Sequence, residues 1–196
     1  MRGRDIKRYG YEFADLYLIT TFPSLKIDIE MYPAVKQYLL SFGYDRLKQT
    51  GELGARKKTN NQWFETQDTI TYWDDFSKQK IVWGNLNLSA AYSLAPEGMF
   101  INAPCPIIVP ASNYLLAILN SKVADYYIRN LGVTRNGGYF EYKPIFVEKI
   151  PVPPSSNEIK QKIDNLLQTK EYNEIDKLAY KLYSLTKEEI EFIEKG

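Results

Sequence analysis

Apolar and polar positions recur along most of the chain in patterns that assign local structure. Leu25, Ile27, Ile29 and Met31 alternate with Lys26, Asp28 and Glu30, the period of a half-buried strand. Residues 14–21 ahead of them are a short β-prone run closed by Phe22-Pro23. Pro33 suits the first turn of a helix with Val35, Tyr38, Leu39 and Phe42 on its apolar face, and Gly43 ends it. The pattern then breaks. Residues 44–62 carry Arg46, Lys48, Arg56, Lys57 and Lys58 among Gly51, Gly54, Asn60 and Asn61, with few apolar residues, which predicts an exposed basic loop.

Beyond Trp63-Phe64-Glu65, residues 80–84, 89–94, 99–102 and 106–109 read as successive short strands, with turns at Gly84-Asn85 and Pro96-Glu97-Gly98. Ser112 caps a long helix that runs through Leu131 to Gly132, apolar around much of its circumference and therefore buried. Arg135-Asn136-Gly137-Gly138 is a turn, residues 139–148 read as extended, and Ile150-Pro-Val-Pro-Pro154 marks a boundary. Ser155 with Glu158, and Thr186 with Glu189, then form capping boxes of helices, with Ile175, Leu178, Leu182 and Tyr183 on another between them. These elements predict an α+β fold. A domain over 1–153 has a twisted, mainly antiparallel sheet with packed helices, and a C-terminal helical appendage fills 154–196.

Composition narrows the chemistry. The 196 residues include no histidine and a single cysteine, Cys105. Imidazole acid–base catalysis, the Ser–His–Asp arrangement and histidine-containing zinc sites are therefore excluded, as is a disulfide within the chain. A catalytic site is not expected here. No run approaches the ~20 uncharged apolar residues of a membrane span, and no apolar core follows Met1–Asp5, so a cytoplasmic setting is expected and a membrane partner is not. Charge is uneven: residues 1–60 hold eleven Lys and Arg against seven Asp and Glu, whereas 151–196 hold seven against nine. That mild basic bias suits a DNA-facing N-terminal half.

Several segments in order carry a resemblance. They are Arg2-Gly-Arg-Asp-Ile-Lys-Arg-Tyr9, Tyr17-Leu-Ile19, Tyr32-Pro-Ala-Val-Lys36, Trp63-Phe-Glu65 and Lys80-Ile-Val82. Tyr114-Leu-Leu-Ala-Ile-Leu-Asn-Ser-Lys122, Ile150-Pro-Val-Pro153, Glu174-Ile-Asp176 and Tyr180-Lys-Leu-Tyr183 follow. Together they resemble the TaqI-like C-terminal specificity domain of type IIG restriction–modification enzymes and related adenine-specific DNA methyltransferases. The resemblance implies a module that selects a short duplex DNA sequence for a methyltransferase, and often a nuclease, in the same polypeptide. The Asn-Pro-Pro-Tyr type motif of those methyltransferases has no counterpart beyond Asn136-Gly-Gly-Tyr139, which lacks the prolines and reads as a Gly-rich hairpin. The chain thus looks like an excised domain, with S-adenosylmethionine expected in a methyltransferase module outside it.

Duplex reading needs cations for phosphates and forked or amide side chains for base edges. In the 46–63 loop, Arg56 suits guanine, Asn60 or Asn61 adenine, and Lys57 and Lys58 phosphates; the alternative is a solvated loop. Arg135 and Asn136 form a second candidate or an ordinary hairpin tip. Arg4, Lys7 and Arg8 suit either phosphates or the anchoring of a neighbouring domain. Trp63 reads as a packing anchor at the loop base, with base stacking the alternative. A protein–protein interaction module using the same loops is the rival reading.

Overall fold

The computed structural model describes residues 1–195. Contacts divide the chain into two compact units, Tyr17–Asp74 and the remainder, Met1–Leu16 with the residues from Asp75 on.

The Tyr17–Asp74 unit holds two helices, α1 (Pro33–Leu40) and the single turn α2 (Tyr44–Leu47). Pro33 opens α1 at the position where a missing N–H costs nothing. The strands expected at 14–21 and 25–31 do not form. Pro23–Leu25 and Ile29–Met31 are 3-10 turns, the second capped by the Asp28 carboxylate, which accepts from Glu30 N at 3.1 Å. β propensity is worth little without a paired, pleated neighbour, and Leu16, Leu18 and Ile19 lie exposed outside the three sheets. The unit's buried apolar side chains are Phe22, Ile29 and Phe64, beside buried Thr21, Gln49 and Glu65. Polar contacts therefore carry an unusual share of its order.

In the other unit, β1 (Ile6–Lys7) and β2 (Gly10–Tyr11) form a hairpin. Strand β3 (Lys80–Trp83) is followed by β4 (Leu86–Asn87), β5 (Tyr92–Ala95) and β6 (Ile107–Ile108). After helices α3 (Asn113–Asn120) and α4 (Lys122–Leu131) come β7 (Thr134–Arg135), β8 (Tyr139–Glu141) and the short helix α5 (Pro144–Val147). The fold is α+β, with three small antiparallel sheets, β1-β2, β5-β3-β6 and β4-β8-β7, in place of one. Residues 99–102 form no strand, and the stretch after Glu141 turns helical at Pro144.

All four residues of β3 are buried, and their alternation serves two cores. Ile81 and Trp83 pack with Leu116, Ile118 and Leu119 of α3, while Val82 joins Ile6 and Ala95. The helix expected over 112–131 is two. Ser112 caps α3 as predicted, and Ser121, at ψ 150°, breaks the run. The Ser121 hydroxyl donates to Ile118 O at 2.7 Å and accepts from Ala124 N at 3.2 Å, closing α3 and opening α4. Buried Asn120 then ties the helix to β5, exchanging hydrogen bonds of 2.9 Å with the backbone N–H and C=O of Tyr92.

The boundary expected at 153–154 does not separate compact units. Helices α6 (Asn157–Gln168) and α7 (Tyr172–Leu182) place Ile163 and Ile175 in the same core as Ile81 and Trp83. Carbonyls of the proline-rich stretch are held too: Tyr183 donates to Pro151 O and Tyr114 to Pro153 O, both at 2.6 Å. The last helix, α8 (Lys187–Lys195), has the predicted capping box, with Glu189 N donating to Thr186 Oγ1 at 3.2 Å and Thr186 N to the Glu189 carboxylate at 2.7 Å. At α6 the cap is Ser156, not Ser155, and Ser156 Oγ accepts from Ile159 N at 3.2 Å. None of the helices among the described residues is long and apolar enough to cross a membrane.

Candidate nucleic-acid interface

The basic loop is an ordered element of the Tyr17–Asp74 unit. It leaves α2 at Lys48, turns at Gly51 and Gly54, and returns so that Arg56 N donates to Lys48 O at 3.0 Å, Gly51 N to Arg56 O at 3.0 Å and Thr59 N to Gln49 O at 3.1 Å. Gly51 sits at φ +77°, and a Cβ there would stand 3.1 Å from the Lys58 Cβ, so the close return needs glycine.

Gln49 is buried inside this return. Its amide nitrogen donates to Gln62 O at 3.0 Å and Glu65 O at 2.8 Å, and its amide oxygen accepts from the Thr59 hydroxyl at 2.6 Å. The Arg56 guanidinium turns inward beside it, donating to Leu47 O at 2.7 Å, to Glu65 O at 2.9 Å and to Trp63 O. Carbonyl dipoles replace lost hydration there, and burial pushes the guanidinium pKa down. The Asn61 amide also faces the protein, donating to Thr66 O at 2.9 Å and Gln67 O at 3.0 Å. Lys48 is neutralised by Asp45 and Glu52 at 3.1 and 2.8 Å, pairs that raise its pKa.

Lys57, Lys58 and Asn60 are exposed, and their side chains take no partner among the described residues. Two adjacent cations and a primary amide thus stand on a return fixed from beneath. The Trp63 ring lies against Tyr44, centroids 5.9 Å apart, and Phe64, 5.6 Å apart, at the base of the loop. Charge and amide content mark the exposed residues in the sequence. Gln49 carries the same amide group and stands beside the charged Lys48, so the sequence does not set it apart as the buried one.

In the other unit, the Arg135–Gly138 turn joins β7 to β8 as expected. Arg135 donates to the Glu141 carboxylate at 2.6 Å, and Lys143 pairs with the same carboxylate at 2.9 Å. Glu141 is 3% exposed, and the two cations hold its pKa below the ordinary range. Asn136 is exposed at the tip. At the N-terminus Arg4 and Lys7 are exposed, with the Lys7 ammonium 3.1 Å from Arg4 O and 3.9 Å from Glu12. Arg8 faces inward: it donates to Asn120 O at 2.9 Å and to the Asp176 carboxylate at 3.0 Å, a carboxylate that also accepts from Lys122 N at 3.0 Å.

Two comparisons bear on this arrangement. A Type II methyltransferase of Geobacillus stearothermophilus, M.BstVI, is 26% identical over 176 residues, 85% of this chain. The chain spans only 30% of that relative's length. The profile of the TaqI-like C-terminal specificity domain matches residues 1–152, through β1–β8 and α1–α5. With more than three quarters of its length matched, this chain belongs to the family of TaqI-like C-terminal specificity domains.

Proposed function

We propose that the chain reads a short sequence in duplex DNA and presents one of its bases to a methyltransferase module of the same polypeptide. The observation that carries this reading is the Lys57, Lys58 and Asn60 triplet, whose side chains take no partner among the described residues, on a loop whose backbone is fixed beneath it. Ammonium groups neutralise phosphates whatever the sequence, and a primary amide pairs with the N6–N7 edge of adenine. Fixed geometry matters because a base contact discriminates only if the side chain arrives in register. The Arg135 and Asn136 hairpin supplies a second candidate contact, and Arg4 and Lys7 are further phosphate candidates.

S-adenosylmethionine and the methyl transfer belong to the other module, in a cytoplasmic enzyme. The one segment near an Asn-Pro-Pro-Tyr type motif, Asn136-Gly137-Gly138-Tyr139, lacks its prolines and lies exposed on a hairpin, which supports that assignment. Its own task is to grip the duplex so that the target base is flipped into the neighbouring pocket. A protein-binding role for the same loop predicts a different salt response.

The test is the salt dependence of duplex binding by the chain, read by fluorescence anisotropy. Affinity should fall steeply as salt rises, and Lys57→Ala or Lys58→Ala should each reduce the log–log slope by about 1. Binding that ignores salt, or lysine variants with unaltered slopes, would overturn the proposal.

A further inference from the structure

Arginine is the side chain best shaped to read guanine, so Arg56 stands first among base readers on composition alone. Its geometry points to another task. Three carbonyls, those of Leu47, Trp63 and Glu65, take its donors, and they come from α2 and from the far end of the loop. We propose that Arg56 is a positioning residue of the recognition loop: its guanidinium ties the two ends of the loop together and thereby sets the stance of Lys57, Lys58 and Asn60 against DNA. This inference rests on the loop being the DNA-reading surface.

Three features carry it. The guanidinium has no carboxylate partner among the described residues and is partly desolvated, so pulling it out to meet a base would break three hydrogen bonds and leave the Trp63 and Leu47 carbonyls without it. Gln49 bonds Glu65 O as well, so the two side chains converge on one carbonyl from the outgoing and the returning arms of the loop. Finally, Arg56 immediately precedes Lys57 and Lys58, so a shift of its backbone moves both ammonium groups. The planar fork is essential to this task. A lysine at 56 keeps the charge, but a single ammonium cannot span carbonyls approached from Nε, Nη1 and Nη2.

A double-mutant cycle tests it, with Arg56→Ala and Arg56→Lys made in the wild-type chain and in the Lys57→Ala/Lys58→Ala chain. Backbone amide exchange of Gly51, Arg56 and Thr59 is followed alongside. The expected result is loss of amide protection confined to the loop, and a drop in salt slope of about 2, equal to that of the lysine pair itself. In the lysine-free background the same Arg56 changes should leave the slope as it is, and Arg56→Lys should fail to rescue. Equal losses of slope in both backgrounds, or an altered base preference that persists when Asn60 is already alanine, would make Arg56 a direct contact and sink the positioning role alone. Unchanged amide protection would sink it too. A lysine pair whose removal has no effect would instead overturn the loop's DNA-reading role, and the inference with it.

Discussion

Asp176 is 3% exposed and receives Arg8 from the N-terminal segment and Lys122 N from the start of α4, so three distant parts of one unit meet at a single carboxylate. Breaking such a buried pair by removing one partner costs about 3 kcal/mol, because the other charge is left uncompensated. Asp176→Ala should lower the urea midpoint accordingly, whereas Glu174→Ala, which removes an exposed pair with Lys177, should leave it nearly unchanged. Asp5 makes a complementary case. Its carboxylate accepts from the Arg2 guanidinium at 2.9 Å and from Arg2 N at 2.8 Å, and the Arg2 side chain holds its pKa down at about 2. A depressed pKa stabilises the fold above the unfolded value, near 3.9, and that stability is lost as pH falls toward 2. Asp5→Asn should flatten the acid limb of the stability profile between about pH 4 and 2, measured by thermal melts. At this scale the sequence exposes which groups are charged, and little more. Lys57, Lys58 and Asn60 are exposed, as a basic loop predicts, but the inward turns of Arg8 and Arg56 and the pairing of Arg135 with Glu141 depend on carbonyls and carboxylates that only folding brings close.

Elements were legible where local chemistry decides them. Pro33 opens α1, Ser112 caps α3 and Thr186 with Glu189 caps α8, because each needs only neighbours within a turn. The 14–31 stretch was not legible in this way. Its alternation is genuine, but a strand also needs a partner, and the exposed Leu18 and Ile19 find none. Ser121 hides a break inside a continuous apolar pattern, since Asn120 and Ser121 are both buried and act on the backbone. At α6 two adjacent serines compete for one cap. Ser156→Ala should cost about 1 kcal/mol in chemical unfolding, and Ser155→Ala should cost almost nothing. Equal effects of the two would place the start of α6 elsewhere.

At the scale of the molecule, residues 153–195 lie beyond the stretch that the family profile matches, yet they complete a core. Ile163 and Ile175 are each 1% exposed, and Asp176 holds Arg8. A chain ending at Pro153 should therefore lose cooperative unfolding, visible as a broadened thermal transition; an unchanged transition would make these helices the separate appendage that the proline-rich stretch suggests. The Tyr17–Asp74 unit is built on a different balance, with a small apolar interior and a dense polar network that leaves two lysines and an asparagine outward. Selection of duplexes from a random-sequence library by the full chain at low salt tests the central claim most directly. A short motif should be enriched, and Asn60→Ala should relax it at one position while leaving the others intact. Enrichment of no motif, or of the same motif at the same stringency by Asn60→Ala, would contradict the reading of DNA sequence by this loop.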